Sequence, residues 1–484
     1  MTGDEARIRS IHLIAICGVG MAPLAVALKR AGYHVTGSDK QAFPPMSEVL
    51  AAAGIAILEG FSPAHLAPRP DLVIVGNAVT ATNIEAVEVE RLGIRRMSFP
   101  EAVGQFLIGQ SRSLVVAGTH GKTTTTGMLA FALEGAGVEP GYLVGGMIPD
   151  LGEFARPGAG RYFAVEGDEY DTAYFDKQPK FLHYRPYGVI LTSVEFDHAD
   201  IYRDEAHVES AFGRLLDLLG PNGPLVACAD YASIRRLVAA RNRAATVWYG
   251  SDLRRGWSYR SIHETPNATM FDAVYDGHVE ETVTLALHGE MNVANATAVY
   301  ALVRELDIDR TGVLAAMARY RGGARRQEKV GEVGGVIVID DFAHHPTAVE
   351  KTLDAMARRY PGRRLVAVFE PRSNTSRRAV FQTAYADALS GAALAVVSSV
   401  YAKQNDPLAP EQMLSTPRLV ADLVSRGTRA WSADGPDDIL ARLPEELRTG
   451  DVVLCMSNGA FGNLPRRLVA LLGSRHRPQT GVQP

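Results

Sequence analysis

A glycine-bounded turn ending in lysine and threonine has the residue types of a phosphate-binding loop. Residues 114–126 read LVVAGTHGKTTTT, an apolar run followed by Gly118, Gly121 and Lys122. The turn is a shortened form of the G-x-x-x-x-G-K-[ST] motif. Backbone N–H groups in such a turn, together with the positive end of the next helix, bind an anion. We therefore expect Lys122 to contact the outer phosphates of a nucleotide and the Thr123 hydroxyl to ligate Mg²⁺.

Two acidic clusters follow strand-like runs further along the chain. The first, RYFAVEGDEYD, ends its apolar run at Glu166, and the second, LTSVEFDHAD, contains His198. Crowded carboxylates repel one another unless a cation or hydrogen-bond donors lie among them. Oxygen ligands with one imidazole suit Mg²⁺ or Mn²⁺, so the pattern predicts a metal site. The alternatives are a solvated acidic loop for the first cluster and a hydrogen-bonded core histidine for His198.

Two further segments carry groups that suit a nucleotide. Arg325 and Arg326 lie in the glycine- and arginine-rich stretch 320–335, and an arginine there could reach a γ-phosphate when domains close. The alternative is a solvated basic hinge. The stretch DDFAHHP, 340–346, ends a strand-like run with acids that can hold a ribose hydroxyl. Its two histidines are either capping groups or ligand contacts.

An earlier glycine turn gives a weaker signal. Gly18 and Gly20 form a G-x-G pattern, but Pro23 replaces the third small residue of the dinucleotide fingerprint. Asp39 lies about where such domains keep the acid that binds ribose. The turn is therefore a nicotinamide site, another nucleotide-diphosphate site, or a strand-to-helix turn without a ligand.

These groups require strands and helices to position them. Three apolar runs, each followed by a glycine-containing turn and a helix-like segment, begin at Ile11, Leu114 and Gly334. Continuous apolar runs separated by helical segments are typical of buried parallel strands. The sequence therefore predicts an α/β fold with a Rossmann-like N-terminal domain, a central P-loop ATPase-type domain and a Rossmann-like C-terminal domain. We expect the domains at 1–110, 111–324 and 325–484.

One stretch of the central domain has a different pattern. In TMFDAVYDGHVEETVTLALHG, which begins at Thr269, apolar and polar residues alternate around Asp276 and Gly277. This alternation around an Asp-Gly turn predicts an added β-hairpin.

Composition narrows the classes of function. The 484 residues are 46% hydrophobic and 21% charged, with a net charge of −4 and scattered basic residues. Neither nucleic acid nor membrane is therefore an expected partner. Three distant cysteines without a CxxC pair indicate neither zinc nor disulfides. The acidic N-terminus lacks the apolar segment of a signal peptide, and we expect a cytoplasmic protein.

Taken together, seven motifs in order resemble the Mur ligases, the ATP-dependent amide-bond ligases of bacterial cell-wall synthesis. The likeness covers nearly the whole chain and is specific because the motifs span all three predicted domains. They are GVGMAPLA, AGTHGKTTT, EGDEYD, EFDHAD, HGEMNVANA, ARRQE and DDFAHHP.

The resemblance implies a role for each domain. The N-terminal domain would hold the UDP end of UDP-N-acetylmuramate, the central domain ATP with Mg²⁺, and the C-terminal domain the amine substrate. The implied catalytic set is Lys122, Glu166, His198 and Arg326, and the implied metal ligands are Thr123, Glu166 and His198. ATP would be bound by Gly118, Thr119, His120, Gly121, Lys122, Thr123, Thr124, Asn292, Asn295, Arg326 and Asp341. Substrates would be bound by Gly18, Gly20, Met21, Asp39, His344, Arg372, Ser373 and Asn374.

Two departures from the family pattern affect these assignments. The usual His-Asn pair before the adenine-contacting asparagine is Met291-Asn292 here, so the histidine contact is missing. Several relatives also carry a carbamoylated lysine after the aspartate-histidine motif, but this chain has no lysine between His198 and Tyr249. The metal site would therefore depend on the carboxylates and His198.

The choice of amine is indicated by residues 369–378. The alanine-adding branch resembles F-Q-P-H-R-Y-[ST]-R at this point, whereas this chain reads FEPRSNTSRR. Arg372, Ser373 and Asn374 replace a histidine, an arginine and a bulky tyrosine, which implies more room and a longer anionic amine. The segment resembles the branch that attaches the recovered murein tripeptide L-alanyl-γ-D-glutamyl-meso-diaminopimelate to UDP-N-acetylmuramate. An L-alanine ligase is the alternative, with a dehydrogenase or a P-loop switch as more distant ones.

Overall fold

The computed structural model describes residues 8–241, 243, 245–401 and 408–476. Within these ranges the strands form three large sheets, one in each predicted domain, and a small two-stranded sheet. The α/β fold class with three domains is thereby confirmed. No helix of the described part has the length and apolar character needed to cross a bilayer.

The N-terminal sheet has five parallel strands in the order β3-β2-β1-β4-β5. This order, in which successive strands are added first on one side of β1 and then on the other, matches the first five strands of a Rossmann fold. The elements are β1 Ser10–Ile14, α1 Met21–Arg30, β2 His34–Asp39, α2 Met46–Ala52, β3 Ile57–Glu59, β4 Leu72–Val75, α3 Ile84–Arg91, β5 Arg96–Ser98 and α4 Phe99–Ala102.

The central domain contains a ten-stranded sheet in the order β17-β16-β15-β14-β13-β12-β6-β9-β7-β8, counted over the described residues, and the pair β10-β11. Its strands are β6 Arg112–Ala117, β7 Gly141–Leu143, β8 Ala155–Arg156, β9 Tyr162–Gly167, β10 Asp171–Ala173, β11 Asp176–Pro179, β12 Pro186–Leu191, β13 Leu225–Cys228, β14 Thr246–Gly250, β15 Trp257–Glu264, β16 Thr269–Tyr275 and β17 His278–Leu285. Its helices are α5 Lys122–Gly135, α6 Glu205–Leu218, α7 Ala232–Ala239, α8 Glu290–Glu305 and α9 Arg310–Met317.

The predicted hairpin is confirmed. Strands β16 and β17 pair antiparallel, with Tyr275 opposite His278 across the Asp276-Gly277 turn. Asp276 has a φ of 47° and Gly277 a φ of 85°, the left-handed conformations that a tight hairpin turn of this kind requires.

The C-terminal sheet has six strands in the described ranges, in the order β18-β19-β23-β20-β21-β22. Only β18 runs antiparallel to its neighbour, at one edge. The elements are β18 Glu328–Val333, β19 Val336–Asp341, α10 Pro346–Arg359, β20 Leu365–Phe369, α11 Gln382–Leu389, β21 Leu394–Ser398, α12 Thr416–Ser425, β22 Arg429–Ala433, α13 Pro436–Arg442, β23 Val452–Met456 and α14 Leu464–His476.

The register of the central sheet determines where the phosphate loop lies relative to the acidic clusters. Strand β6 lies between β9 and β12 and runs parallel to both, with Ala117 opposite Gly167 on one side and Leu191 on the other. All three strands are buried and apolar along most of their length. Because parallel strands end at the same edge, the phosphate loop is held between the two acidic clusters.

Candidate active site

The phosphate loop leads from β6 directly into α5. Gly121 caps this helix with a φ of 81°, a left-handed conformation that favours glycine. A Cβ on Gly121 would lie only 2.9 Å from the Asn295 side-chain oxygen. Glycine is therefore required both by the backbone turn and by the close approach of α8.

Lys122 lies at the end of this loop, with only 14% of its side chain exposed. Its Nζ donates to the Gly118 carbonyl at 2.6 Å and to Glu169 Oε1 at 2.8 Å. Burial alone lowers the pKa of a lysine, but the charges of Glu169 and Asp168 outweigh it and raise the pKa of Lys122. The ammonium is therefore charged and held within the loop.

Glu166 lies beside the first turn of α5. The Thr123 hydroxyl donates to Glu166 Oε1 at 3.0 Å, and the Gly145 N–H donates to Oε2 at 2.8 Å. Burial raises the pKa of Glu166, and nearby Lys122 opposes that rise. Thr123 and Glu166, both predicted as metal ligands, are thus neighbours.

His198 makes its main contact with a carboxylate that the sequence analysis did not assign to the site. Its Nε2 lies 2.9 Å from Glu169 Oε1, the oxygen that also accepts from Lys122. Burial lowers the pKa of His198, but Glu169 and Asp197 outweigh this and raise it. His198 has a φ of 52°, a strained conformation of the kind often found at functional sites. The four-carboxylate cluster EGDEYD was the signal that could have identified Glu169.

The donor types suit Mg²⁺, although within the described residues Glu166, Glu169 and His198 do not bring their ligand atoms together within 4.8 Å as one group. Thr123, Glu166 and His198 offer a hydroxyl, a carboxylate and an imidazole along one cavity. Glu169 Oε2 is buried without a hydrogen-bond partner, an oxygen that a nearby cation would satisfy. Mg²⁺ is usually bound by one or two carboxylates together with substrate phosphates and water.

Asn292 and Asn295, predicted to contact adenine, lie on α8 against the loop. Asn295 Nδ2 donates to Asn292 Oδ1 at 3.3 Å, and Asn292 Nδ2 donates to the His288 carbonyl at 2.8 Å. The two amides are therefore held in place by each other and by the helix.

The C-terminal domain contributes two predicted ATP contacts. Arg326 Nη2 lies 3.3 Å from Thr123 Oγ1, and its guanidinium lies over the Phe342 ring at 4.6 Å. Asp341 accepts the Gln327 N–H at 2.7 Å, which fastens the segment that carries Arg326. Arg325 instead pairs with Asp340 at 3.1 Å. Of the two hinge arginines, Arg326 is thus the one that reaches the phosphate loop.

One cavity of about 1310 Å³ collects most of the predicted residues of these two domains. Gly118 is not among its lining residues, although its carbonyl accepts from Lys122. The predicted residues that line it are Thr119, His120, Gly121, Lys122, Thr123, Thr124, Glu166, His198, Asn292, Asn295, Arg326, Asp341, His344, Arg372, Ser373 and Asn374.

A second cavity, of about 740 Å³, lies at the N-terminal domain. Four of the residues predicted to bind a substrate line it: Gly18, Gly20, Met21 and Asp39. Asp39 Oδ2 accepts the Cys17 N–H at 2.8 Å and so shapes the glycine turn. Four residues line both cavities: Val19, Gly145, Glu166 and Asp168. The two cavities therefore adjoin at Glu166.

Arg372 is placed in the larger cavity by its neighbours. Its guanidinium lies over the Tyr401 ring at 3.9 Å, and Nη1 is 3.7 Å from Glu370 Oε1. A Cβ on Gly459 would lie 2.1 Å from Arg372 Nε, so a glycine leaves the path of this side chain open. The side chain remains 31% exposed, enough to meet a ligand.

The same C-terminal segment contacts the loop of His198 directly. The Thr375 hydroxyl donates to Asp197 and accepts the His198 N–H at 3.0 Å. One residue earlier, Asn374 Nδ2 donates to Asp200 at 2.6 Å. Thr375 and Asp197 are both buried. The segment predicted to bind the amine is thus coupled to a predicted metal ligand.

Family models match three consecutive parts of the chain. These are the Mur ligase family catalytic domain over 10–110, the Mur ligase middle domain over 116–303 and the Mur ligase glutamate ligase domain over 325–459. The chain belongs to the Mur ligase family, and it is an ATP-dependent ligase that forms amide bonds. The dehydrogenase and the P-loop switch are thereby excluded.

Relatives with two different amine substrates are similar to this chain. A UDP-N-acetylmuramate–L-alanyl-gamma-D-glutamyl-meso-2,6-diaminoheptandioate ligase from Escherichia coli is 34% identical, over 95% of this chain and 97% of the relative. A UDP-N-acetylmuramate–L-alanine ligase from Kineococcus radiotolerans is 37% identical, over 97% and 98%. The crystal structure of a murein peptide ligase from Psychrobacter arcticus aligns with a TM-score of 0.70 at 30% identity, covering 96% of this chain and 99% of that one.

Replacing Glu166 tests whether this carboxylate serves the metal or the fold. Glu166→Gln keeps an oxygen that accepts the Gly145 N–H but removes the charge that a cation needs. We expect loss of ligation and of Mg²⁺-dependent ATP binding, with Tm changed by less than about 3 °C, or about 1 kcal/mol for a domain of this size. Glu88→Gln, at an exposed pair with Arg91 on α3, is the control and should leave both properties unchanged. A Glu166 variant that fails to fold would show that the carboxylate is structural.

Replacing Thr375 tests the coupling between the amine segment and His198. Thr375→Val keeps the shape but removes a hydrogen bond to a charged group, a bond that contributes about 1.5–3 kcal/mol. We expect kcat/KM for the amine to fall about 10- to 100-fold and the Mg²⁺ requirement to rise. Thr375→Ser, which restores the hydroxyl, should recover most of both. Equal losses in the two variants, with an unchanged Mg²⁺ requirement, would contradict the coupling.

Proposed function

We propose that this ligase joins the tripeptide L-alanyl-γ-D-glutamyl-meso-diaminopimelate to the lactyl carboxylate of UDP-N-acetylmuramate, in peptidoglycan recycling in the cytoplasm. The observation that carries the proposal is the shared wall of the two cavities at Glu166. A sugar nucleotide lying along Gly18 and Gly20 would bring its acid end to the phosphate loop. The carboxylate and the γ-phosphate of ATP would then meet beside Glu166.

The chemistry proposed for this meeting point proceeds through an acyl phosphate. A carboxylate oxygen of UDP-N-acetylmuramate attacks the γ-phosphorus of ATP, and ADP leaves. The amine then attacks the acyl carbon, the tetrahedral intermediate collapses, and inorganic phosphate leaves as the amide forms. The amine loses a proton in this step.

The chain's own residues would stabilise the charge that develops on the phosphoryl group. Lys122 offers a fixed ammonium, and Arg326 approaches from the C-terminal domain beside Thr123. Fixed cations in a buried site stabilise such a transition state without reorganising. Mg²⁺ held by Thr123, Glu166 and His198 would neutralise phosphate charge when bound.

The tripeptide is preferred to alanine because of residues 372–374. A guanidinium that lies over an aromatic ring and stays partly exposed is suited to bind a carboxylate through two hydrogen bonds. The tripeptide carries several carboxylates and alanine only one. The similarity to the Escherichia coli tripeptide ligase also supports this choice. The similarity to the Kineococcus radiotolerans enzyme favours the second candidate, an L-alanine ligase.

Dependence of ATP turnover on both other substrates tests the ligase mechanism. We expect ADP release over many turnovers only when UDP-N-acetylmuramate and the tripeptide are both present, because the amine must consume the acyl phosphate before the next cycle. Lys122→Ala should abolish turnover, since the phosphoryl group loses its fixed cation. ADP release is measured with each substrate omitted in turn. Rapid hydrolysis of ATP alone, unaffected by the sugar nucleotide, would contradict the proposal.

Competition between amines tests the substrate. We expect kcat/KM for the tripeptide to exceed that for L-alanine at equal ATP and UDP-N-acetylmuramate, with products identified by mass. Arg372→Lys should reduce the tripeptide value about 10- to 100-fold, because a lysine lacks the planar donors of a hydrogen bond worth about 1.5–3 kcal/mol. Arg418→Lys, at an exposed pair with Asp422 on α12, is the matched control and should change neither value. If alanine is the better substrate, the second candidate is correct.

A further inference from the structure

Three side chains with metal-binding atoms converge where the central and C-terminal domains meet. His120 lies in the phosphate loop, Glu195 follows β12, and His345 precedes α10. One candidate ligand atom from each lies within 4.8 Å of the other two. His120 Nε2 and Glu195 Oε2 are 2.9 Å apart, and the two imidazole centroids are separated by 4.7 Å. In the described part of the chain this is the one such group of three.

One polar atom of this cluster has no hydrogen-bond partner. His120 Nε2 and Glu195 Oε2 pair with each other, whereas His345 Nε2 is buried without a partner. His345 as a whole is only 5% exposed. Its other ring nitrogen accepts the Thr347 N–H at 3.3 Å and so caps α10, which leaves Nε2 available. Buried polar atoms without partners are rare, so His345 Nε2 beside the His120–Glu195 pair indicates a missing ligand.

We propose that His120, Glu195 and His345 form a binding site for a divalent transition metal of the zinc class. Two imidazoles and one carboxylate are a donor set that such ions accept, whereas Mg²⁺ prefers oxygen ligands. The site shares no residue with the predicted Mg²⁺ set of Thr123, Glu166 and His198. It is therefore a second metal site with a different selectivity.

The protonation states of the cluster suit this role. Burial and the neighbouring His120 lower the pKa of His345 to about 4, so its imidazole is neutral at neutral pH and keeps a free lone pair. Burial works to raise the pKa of Glu195, but His120 outweighs it and the pKa is lowered. Metal ligands must be deprotonated, and these two are.

A metal at this point would join two domains. His120 belongs to the loop that leads into α5, and His345 belongs to the start of α10 in the C-terminal domain. The bound ion would hold α10 against the phosphate loop. Three protein ligands leave a fourth position free for water or a substrate oxygen.

Binding of Co²⁺, a spectroscopic substitute for Zn²⁺, tests the site. The full chain without an affinity tag is treated with a chelator and titrated with Co²⁺ in excess Mg²⁺, with absorbance and bound metal both measured. His345→Asn keeps a short side-chain acceptor that can cap α10 but removes Nε2. Glu195→Gln tests the site independently, because it removes the charge of the carboxylate ligand. His183→Asn is the matched control, because His183 pairs with Asp176 at 2.9 Å outside this cluster.

We expect one equivalent of Co²⁺ to bind wild type, His183→Asn and Glu166→Gln alike. The affinity for Co²⁺ should fall by more than about 100-fold in His345→Asn and Glu195→Gln. Losing a group that only positions a metal ligand costs about 10- to 100-fold in metal affinity, and losing the ligand itself should cost more. Unchanged binding in either folded variant of the cluster would overturn the proposal. So would an absence of stoichiometric binding to wild type. Loss of binding in Glu166→Gln alone would assign the ion to the predicted Mg²⁺ site and equally overturn it.

Discussion

The architecture depends on negative charge that is buried at the end of β9. Glu166 and Glu169 lie there beside Lys122, and burial raises the pKa of Glu166 while the acids raise that of Lys122. A nucleotide entering this site adds further negative charge. Lys122 alone cannot balance this negative charge, because its ammonium already donates a hydrogen bond to Glu169. In the proposed mechanism a metal ion and a cation from another domain would balance this charge, and Arg326, which reaches Thr123, would supply the second.

Parallel sheets explain how three domains meet at this point. Each sheet brings the carboxyl ends of its strands, and the loops that follow them, to one edge. The phosphate loop, the acidic clusters and the glycine turn all lie at such edges, and the cavities they form share Glu166. Relatives named for different amines are similar to this chain over nearly its whole length, so in the proposed function a few side chains such as Arg372 would decide which amine is used.

Much of the fold and of the candidate site was predictable from the sequence because the patterns that indicate them are local. The phosphate loop, the hairpin turn at Asp276 and the strands with apolar runs are each contained in a short stretch of sequence. The contacts between domains were not predictable in this way. Thr375 accepts a hydrogen bond from the His198 N–H although the two residues are 177 positions apart in the sequence. Sequence patterns do not reveal such pairs. Glu169 is one of several clustered acids in the sequence, but its contact with His198 depends on how two strand ends face each other.

The central claim is that the sugar-nucleotide carboxylate meets the γ-phosphate of ATP beside Glu166. The most direct measurement follows ¹⁸O from the lactyl carboxylate of UDP-N-acetylmuramate during one round of ligation with ATP and the tripeptide. An acyl phosphate retains one labelled oxygen as its bridge, so we expect one ¹⁸O in each inorganic phosphate released and one in the amide. Inorganic phosphate without the label, released together with the ligated product, would rule out an acyl phosphate.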